Sequence, residues 1–381
     1  MRLNILVDAP TCYGGIQQFS RNLAAMLKND FEVRLLAYSG ALPALKECPH
    51  EIVRLCRAEE RRGLSRFLRG GAEVYLRPGI RKLAAHILDI PGIRKRIREE
   101  LPGDEILLIN SIHSMHLFVP PEVLLRNRVV FVQHNSPEQL RTWRYDFGGW
   151  LRPQKIALFN RVADAMVMLS PQEQPYFERY LNLSGKLIRV IRHETTLPPE
   201  SGLPYPKTKT VMFLGRLTRQ KRVDRILEVA RQAPDFHFNI YGDGPEEKLL
   251  HQMARNLKNV TFHGYVRDLW RPMSENALAV FTSDFEGYPI SGIECVAWGK
   301  PLIGLNRFPA AVDLVRDGET GFLLDSFDPQ RFAEALRKLH QNLDSYRQNS
   351  LQLRCQYDPK KIQTEWKTFL HDLLQRELRK K

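Results

Sequence analysis

The sequence has few of the features that mark secreted, membrane-spanning or zinc-binding proteins. None of its apolar runs approaches the ~20 residues that a membrane-spanning helix requires. The N-terminus, MRLNILVDAPTCYGG, lacks a basic segment followed by an apolar segment and a cleavage site, which argues against secretion. Only 5 cysteines occur in 381 residues, far apart and without C-x-x-C or zinc-ligand spacing. Together these absences predict a cytoplasmic protein with reduced thiols.

Acidic residues are scarce relative to basic ones. The chain has 43 Asp and Glu against 57 Lys and Arg, which gives a formal net charge of +14 at pH 7. This balance predicts an anionic partner, and nucleic acid, an acidic membrane face or a phosphorylated substrate would each satisfy it. The 43% hydrophobic content is otherwise that of a soluble globular protein, and the length favours two domains.

Strand–helix alternation runs through the chain and predicts an α/β fold. Short runs that are nearly continuous in apolar residues alternate with longer amphipathic stretches, as expected for parallel strands covered on both faces. The predicted strands are residues 3–8, 31–38, 105–111, 128–135, 164–170 and 187–192, then 210–215, 236–242, 260–265, 278–284, 301–306 and 321–325. We therefore expect two doubly wound, Rossmann-like domains that face a central cleft.

A segment rich in proline and turn residues marks the predicted domain boundary. This segment, PPESGLPYPKTK at residues 198–209, separates a first domain, 1–197, from a second, 210–360. The sequence of residues 361–381 predicts one amphipathic helix that crosses back to the first domain. Ligands of such folds bind in the cleft outside the carboxyl ends of the strands.

Two strand–helix loops combine features of anion sites. After the first strand, Gly14 and Gly15 precede a helix, whose free N–H groups and dipole attract anions. After the strand at 210–215, the sequence GRLTRQKRVD places Arg216 and Lys221 near a helix start, where they would grip a diphosphate. The alternatives are a tight turn that needs glycine and a solvated basic rim.

The stretch FEGYPISGIECVAWGKP, residues 285–301, places two glutamates around a helix start. Glu286 follows a strand, and Glu294 lies in the second turn of the helix that Pro289 begins. Outward-pointing backbone amides between them suit a ligand with an anionic middle and hydroxyl-bearing ends, such as sugar–diphosphate–ribose. Two surface glutamates beside a capped helix are the alternative. The loop residues expected at the donor sugar and phosphates are Gly287, Tyr288, Pro289 and Ile290.

The ordered set of these loops resembles family 4 of the retaining glycosyltransferases, which have the GT-B fold. The set comprises Gly14-Gly15, G-R-L-x-x-x-K with Arg216 and Lys221, Y-G-D-G-P at 241–245, E-G-x-P-x-x-x-x-E at 286–294 and D-G-E-T-G-F-L-L at 317–324. The resemblance covers most of the chain, densely in the second half and sparsely between residues 40 and 125.

The resemblance implies how the donor nucleotide would be held. Arg216 and Lys221 would neutralise the diphosphate as it leaves. Gly15 would touch the phosphates or the acceptor, and Glu294 would bind the nucleotide ribose. With two cations in this position no metal is needed, and the sequence has no D-x-D triad.

The resemblance also implies the chemistry at the sugar. Glu286 would contact the transferred hexose and stabilise positive charge at its anomeric carbon. His134, which ends an apolar strand on the cleft side, would lie near the reacting sugar. The expected donor is a UDP-sugar, which is a substrate, so no cofactor is expected. The expected acceptor is a glycan or glycolipid of lipopolysaccharide or another cell-envelope polysaccharide.

Three segments depart from the family pattern. Arg222 replaces the glycine that often follows the lysine, and VIRHETTLP at 190–198 lacks the usual Asn-Gly. The segment RFPAAVDLV at 307–315 has no Gly-Gly and places Asp313 where glutamate is usual. Because this last loop is expected near the donor sugar and the acceptor, the departures leave the identity of the donor open.

Lysine and arginine concentrate in the first domain, in residues 54–101. Apolar residues stand among these cations as an interfacial helix would require, at Leu83, Ile87, Ile90, Ile93 and Ile97. We expect peripheral contact with the anionic inner face of the cytoplasmic membrane, or capture of a phosphorylated glycolipid. A solvated basic face is the alternative.

Two other functions stay open. A non-hydrolysing nucleotide-sugar epimerase shares the two-domain architecture and would form its product without an acceptor. A basic nucleic-acid-binding protein would explain the charge. The sequence has no aromatic–basic interleaving or recognised module, however, so no nucleic-acid partner is expected.

Overall fold

Two separate parallel β-sheets organise the protein, one in each half of the chain. The computed structural model describes residues 1–7, 15–37, 51–55, 90–110, 119–134, 136, 152–195, 197–198 and 205–377. Helices follow the strands in both halves, which confirms the predicted pair of doubly wound α/β domains.

The first half forms a sheet whose described strands number seven. Its elements are β1 Arg2–Val7, α1 Gly15–Leu27, β2 Glu32–Ala37, β3 Glu51–Arg54, α2 Ile90–Glu100, β4 Ile106–Asn110, α3 Pro121–Arg126, β5 Arg128–Val132, α4 Arg152–Val162, β6 Ala163–Met168, α5 Gln174–Glu178 and β7 Leu187–Val190. The strand order is β3-β2-β1-β4-β5-β6-β7. The order reverses between β1 and β4, so a switch point lies beside the loop that leads into α1.

The second half forms a sheet of six strands within the same described residues. Its elements are β8 Thr210–Leu214, α6 Val223–Gln232, β9 His237–Tyr241, α7 Glu247–Met253, β10 Val260–Gly264, α8 Trp270–Glu275, β11 Leu278–Phe281, α9 Ile290–Ala297, β12 Leu302–Leu305, α10 Ala311–Leu314, β13 Gly321–Leu324, α11 Pro329–Gln341, α12 Leu343–Leu353 and α13 Pro359–Gln375. The strand order is β10-β9-β8-β11-β12-β13, with the switch point between β8 and β11.

One strand was not predicted. β3 has four residues and pairs with β2 at the edge of the first sheet, from Arg34 opposite Glu51 to Ala37 opposite Arg54. Its sequence, EIVR, is too short to show a period of its own, and the backbone pairing with β2 makes it a strand. The other strands lie within or close to the predicted ranges.

The last helix, α13, packs on the first domain although the chain reaches it from the second. Asp358 caps it by accepting from the N–H groups of Lys360 and Lys361 at 2.8 and 3.1 Å. Its apolar face, which includes fully buried Trp366, joins the cluster built on β1 and α1. The chain therefore passes between the domains a second time before α13. The predicted boundaries at 198 and 209 stay a prediction.

The position of helix α2 contradicts part of the expectation that apolar residues in 54–101 contact a membrane. Ile93 and Ile97 are fully buried in the core of the first domain, because the apolar face of the helix covers the sheet. They are therefore unavailable to a lipid surface. Leu83 and Ile87 lie outside the described residues. Among the helices that the described ranges contain, none is long and apolar enough to span a bilayer.

Candidate active site

The predicted site residues lie at the carboxyl ends of strands, in loops or in the first turns of the helices that follow, where parallel sheets bind ligands. Gly15 is the first residue of α1 and faces the start of α9 in the other domain. A methyl group added at Gly15 would lie 3.4 Å from Cδ1 of Ile290. The structure thus brings the N-termini of two helices, one from each domain, to the same point of the cleft.

Lys221 and Glu286, predicted for different parts of the donor, form one ion pair. The Lys221 Nζ lies 2.7 Å from Oε1 of Glu286, and the two side chains are 19% and 10% exposed. The pair lines a pocket together with Pro289, Ser291 and Gly292 at the start of α9. Lysine has three donors, so Lys221 keeps donors for a second anionic ligand while it neutralises the carboxylate.

A residue that the sequence did not single out, Gln220, connects the two loops. Its Nε2 donates to the carbonyl of Phe285 at 2.7 Å and lies 3.4 Å from Oε2 of Glu286. Its own carbonyl accepts from the N–H of Asp284 at 3.0 Å. Gln220 is one residue before Lys221, so a polar side chain here fixes the distance between the two charged groups. A lone glutamine beside a basic run gives no sequence signal.

Arg222, the first departure from the family pattern, has an explanation in the backbone. Its φ and ψ are 51° and 48°, a left-handed conformation that glycine adopts at no steric cost. Arginine holds this conformation with its guanidinium bound to Asp224 at 2.8 Å and to Asp284 at 3.3 Å. Arg225 also binds Asp284, at 2.7 Å. The two arginines therefore anchor the loop two residues before Glu286.

The Y-G-D-G-P turn shapes the loop that carries Arg216. The N–H of Leu217 donates to the carbonyl of Asp243 at 2.7 Å. Gly242 has φ 137°, and a Cβ there would lie 1.8 Å from the carbonyl oxygen of Gly215. Glycine is therefore required at 242 by both conformation and space. The turn therefore has a structural role.

Arg216 is the other predicted cation of this loop. It is exposed, and within the described part of the chain no ion pair or side-chain hydrogen bond involves it. Lys221, in contrast, is held by Glu286. The first cation is thus available to a ligand without the loss of an internal contact.

The loop between Glu286 and α9 offers its backbone to the cleft. The Tyr288 side chain, predicted at the donor, is 4% exposed and turns inward, where its hydroxyl lies 2.8 Å from that of Tyr357. Pro289 is the N-cap of α9 and no side chain caps the helix. The N–H groups of Ile290 and Ser291 are therefore left for an anion, whereas that of Gly292 donates to the carbonyl of Pro289 at 3.0 Å.

Glu294 lies in α9 without a polar partner among the described residues. Burial raises the pKa of its carboxyl to about 7. A half-buried carboxylate with no internal hydrogen bond is costly to keep, so its presence favours a ligand that supplies donors. Two ribose hydroxyls are such donors.

His134 has a ring nitrogen that can accept a hydrogen bond. Its Nε2 lies 2.9 Å from Oδ1 of Asn110. The amide of Asn110 is oriented by its Nδ2, which donates to the carbonyl of Leu6 at 3.1 Å and to the hydroxyl of Ser20 at 2.9 Å. We therefore assign the proton to Nε2, which leaves Nδ1 as the acceptor. Nδ1 is buried and has no partner in the part of the chain that the structure describes.

A second histidine, not predicted, lies against the first. The rings of His134 and His193 stack with centroids 5.2 Å apart at 14°, and Phe19 meets both edge-on. Burial, together with the charge of His193, holds the pKa of His134 well below its usual value. Burial lowers the pKa of His193 to about 4. Both rings are neutral at pH 7, so His134 can accept a hydroxyl hydrogen but does not act as a cation.

The sequence is similar to those of known glycosyltransferases. Residues 197–351, which hold Arg216, Lys221, Glu286 and Glu294, match the family "Glycosyl transferases group 1". An uncharacterized glycosyltransferase of Haemophilus influenzae is 29% identical over 298 residues, 74% of this chain and 81% of that protein. The lipopolysaccharide 1,6-galactosyltransferase of Escherichia coli is 26% identical over 152 residues, 36% of this chain and 42% of that protein.

The fold has close counterparts among solved structures. Anabaena HepE, solved in complex with UDP, superposes with a TM-score of 0.71 at 18% identity, and the match covers 98% of this chain and 100% of that one. The two-domain α/β architecture is therefore the GT-B fold, as predicted. The match to the group 1 glycosyltransferases covers the second domain, residues 197–351. Neither the epimerase nor the nucleic-acid alternative is favoured by these relatives.

Proposed function

We propose that the protein is a retaining, metal-independent glycosyltransferase of family 4. It moves a hexose from a UDP-sugar to a glycan or glycolipid acceptor of lipopolysaccharide or another cell-envelope polysaccharide. The observation that carries the proposal is the 2.7 Å Lys221–Glu286 pair beside the uncapped start of α9. It joins a diphosphate-binding cation to a sugar-facing carboxylate.

The diphosphate of the donor would bind to the positively charged groups next to the Lys221–Glu286 pair. Arg216 is free to bind it bidentately, Lys221 has donors left, and the first N–H groups of α9 add a partial positive charge. As the bond between the anomeric carbon and the diphosphate oxygen breaks, negative charge grows on that oxygen. Cations held in advance stabilise it most at that moment, which is the condition for catalysis rather than simple binding.

The sugar suits the other side of the pair. An oxocarbenium-like transition state carries positive charge at the anomeric carbon, and the carboxylate of Glu286 would stabilise it. His134 would accept a sugar hydroxyl through Nδ1. We infer that the acceptor hydroxyl attacks from the face that the diphosphate leaves, and that its proton passes to the departing phosphate. No metal has a part in this scheme, since Arg216 and Lys221 occupy that role.

The comparisons supply the support for UDP and for the acceptor class. HepE was solved with UDP, and the Escherichia coli relative is named for transfer of galactose in lipopolysaccharide synthesis. These properties belong to those proteins. Their shared architecture makes a UDP-hexose and an envelope glycan the first substrates to test.

A thermal-shift panel of nucleotides and nucleotide sugars tests the donor. We expect UDP and at least one UDP-hexose to raise the melting temperature by several degrees, since ligand at 100 times its Kd stabilises by about 2.7 kcal/mol. UMP, which keeps the base and ribose but lacks the second phosphate, should stabilise less. An absence of any shift with nucleoside diphosphates would contradict the proposal. Appearance of an epimeric UDP-sugar without acceptor would favour the epimerase.

Peripheral attachment to an anionic membrane is the part of the proposal that rests on charge. The net charge of +14 and the exposed cations of α2, such as Lys95, support it. We expect the full-length protein to float with vesicles that contain about 30% anionic lipid, and to be released by salt because the Debye length shortens. Equal binding to neutral and anionic vesicles would remove this idea.

A further inference from the structure

A group of polar side chains joins the two domains behind the loop between Glu286 and Ile290, which is called the donor loop here. This group, called the hinge cluster here, consists of Arg192 from the first domain and Tyr288, Asp313 and Tyr357 beyond the linker. Tyr288 and Tyr357 are 4% and 0% exposed. Arg192 and Asp313 fall in two of the three segments that depart from the family pattern. The two departures therefore meet in space.

The contacts of the hinge cluster lead from the first domain to the donor loop. Arg192 Nη2 lies 3.8 Å from Oδ1 of Asp313. The hydroxyls of Tyr288 and Tyr357 are 2.8 Å apart, and that of Tyr357 lies 3.4 Å from the carbonyl of Asp313. Tyr288 is two residues from Glu286. Contacts that fix the Tyr288 hydroxyl therefore also restrain the donor loop.

The cluster is assembled but not tightly closed. A charge-assisted hydrogen bond between arginine and carboxylate has a length of about 2.7–2.9 Å, and the distance here is 3.8 Å. Nε of Arg192 and Oδ2 of Asp313 are buried and have no hydrogen-bond partner in the described residues. Both atoms can therefore take a further hydrogen bond.

A second buried carboxyl, that of Glu173, lies near the hinge cluster. Glu173, which follows β6, is fully buried, with Oε1 unbonded among the described residues. Burial raises its pKa to about 8, and Asp313 adds to this shift. Glu173 and Asp313 thus lie in one buried region. The ion pair that Asp313 makes across the interface is with the Arg192 guanidinium.

We propose that Arg192 is a positioning residue for transfer. From the first domain it holds Asp313, and through Tyr357 and Tyr288 it holds the loop between Glu286 and Ile290 in the geometry that transfer needs when the domains close. The expected effect of Arg192 on the rate of transfer rests on the proposed function. The expectation that Arg192 restrains the donor loop does not. A misplacement of about 1 Å at a reacting group lowers rates by about 100-fold, so a remote arginine can have a large effect on turnover.

Hydrogen exchange and kinetics on Arg192→Met test the proposal. We expect backbone amides of residues 286–291 to exchange several-fold faster in the ligand-free variant, because the contacts that restrain Tyr288 lose Arg192. The Kd for UDP should stay within about threefold, since Arg216, Lys221 and Glu294 are untouched. With a UDP-hexose donor, kcat should fall about 10- to 100-fold with little change in KM. Arg192→Lys, which keeps the charge, should recover part of the loss.

Arg189→Met is the matched control. Arg189 lies on the same strand, β7, and pairs with Asp372 of α13 at 3.0 Å, but has no contact with the donor loop among the described residues. Should Arg192→Met fail to fold, Tyr288→Phe removes the hydroxyl alone and is expected to give the same exchange pattern. Loop exchange and kcat equal to those of Arg189→Met would overturn the proposal. Failure of the wild type to bind UDP would instead overturn the proposed function, and the exchange result would still decide the role of Arg192.

Discussion

Glu286→Gln is expected to lower the turnover of the UDP-hexose donor by about 10²- to 10³-fold while UDP binds as well as before or more tightly. Glutamine keeps the size of the side chain and removes its negative charge. The transition state then loses the carboxylate that faces the anomeric carbon. Lys221, whose Nζ is 2.7 Å from that carboxylate, no longer shares its charge with Glu286 and is free for the diphosphate. The rate and the nucleotide affinity should therefore move in opposite directions.

Steady-state release of UDP and calorimetric titration with UDP measure the two effects. Glu275→Gln is a suitable control, because this exposed glutamate pairs with Arg271 at 3.0 Å on α8 and has no place in the proposed site. Its rate and affinity should match those of the wild type. A Glu286→Gln variant that keeps its rate, or that loses UDP affinity together with rate, would be inconsistent with a carboxylate that acts on the sugar.

Glu294→Gln is expected to raise the thermal stability of the ligand-free protein at pH 8 and to weaken its affinity for UDP. Burial raises the pKa of the Glu294 carboxyl from 4.5 to about 7. Between these two pH values the folded state keeps a proton that the unfolded state has released. Stability therefore falls as pH rises from 4.5 to 7, and the full cost, about 3 kcal/mol at most, is present above pH 7. Glutamine avoids this cost.

Melting curves at pH 5 and pH 8 separate this effect from a general change in packing. The variant should gain a few degrees at pH 8 and little at pH 5. Its Kd for UDP should rise about 10- to 100-fold, since hydrogen bonds from the ribose to a charged acceptor are lost. Glu334→Gln, an exposed glutamate in the second turn of α11, is the control and should change neither quantity. Equal stabilisation at both pH values would mean that the buried charge is not the cause.

The sequence predicts the sheets well because buried parallel strands leave a signal in almost every residue. β4, ILLIN, is buried throughout, and so is its neighbour β5 after the first residue. β3 leaves no such signal, because its four residues become a strand only by pairing with β2. In α2 the apolar residues have a helical period that suits either a core or a membrane. Only the position of the sheet shows that Ile93 and Ile97 cover the core.

The sequence predicts the individual residues of the site but not the contacts between them. Residue types and loop positions indicate Arg216, Lys221, Glu286 and Glu294, because each follows a strand or begins a helix. The sequence does not indicate that Lys221 and Glu286 pair, since they are 65 residues apart and belong to different loops. It likewise predicts Tyr288 at the ligand, whereas the ring turns inward to Tyr357. Contacts across the domain boundary depend on how two folded units meet, and no local pattern records this.

The return of α13 to the first domain restricts how the cleft can open. The chain passes from the first domain to the second between β7 and β8 and comes back between α12 and α13, so two segments of the chain join the domains. A body tied to another at one point can swivel in any direction, whereas a body tied at two points turns mainly about the line that joins them. Opening and closing should therefore follow one axis. The Lys221–Glu286 pair would then approach the acceptor along the same arc in each catalytic cycle.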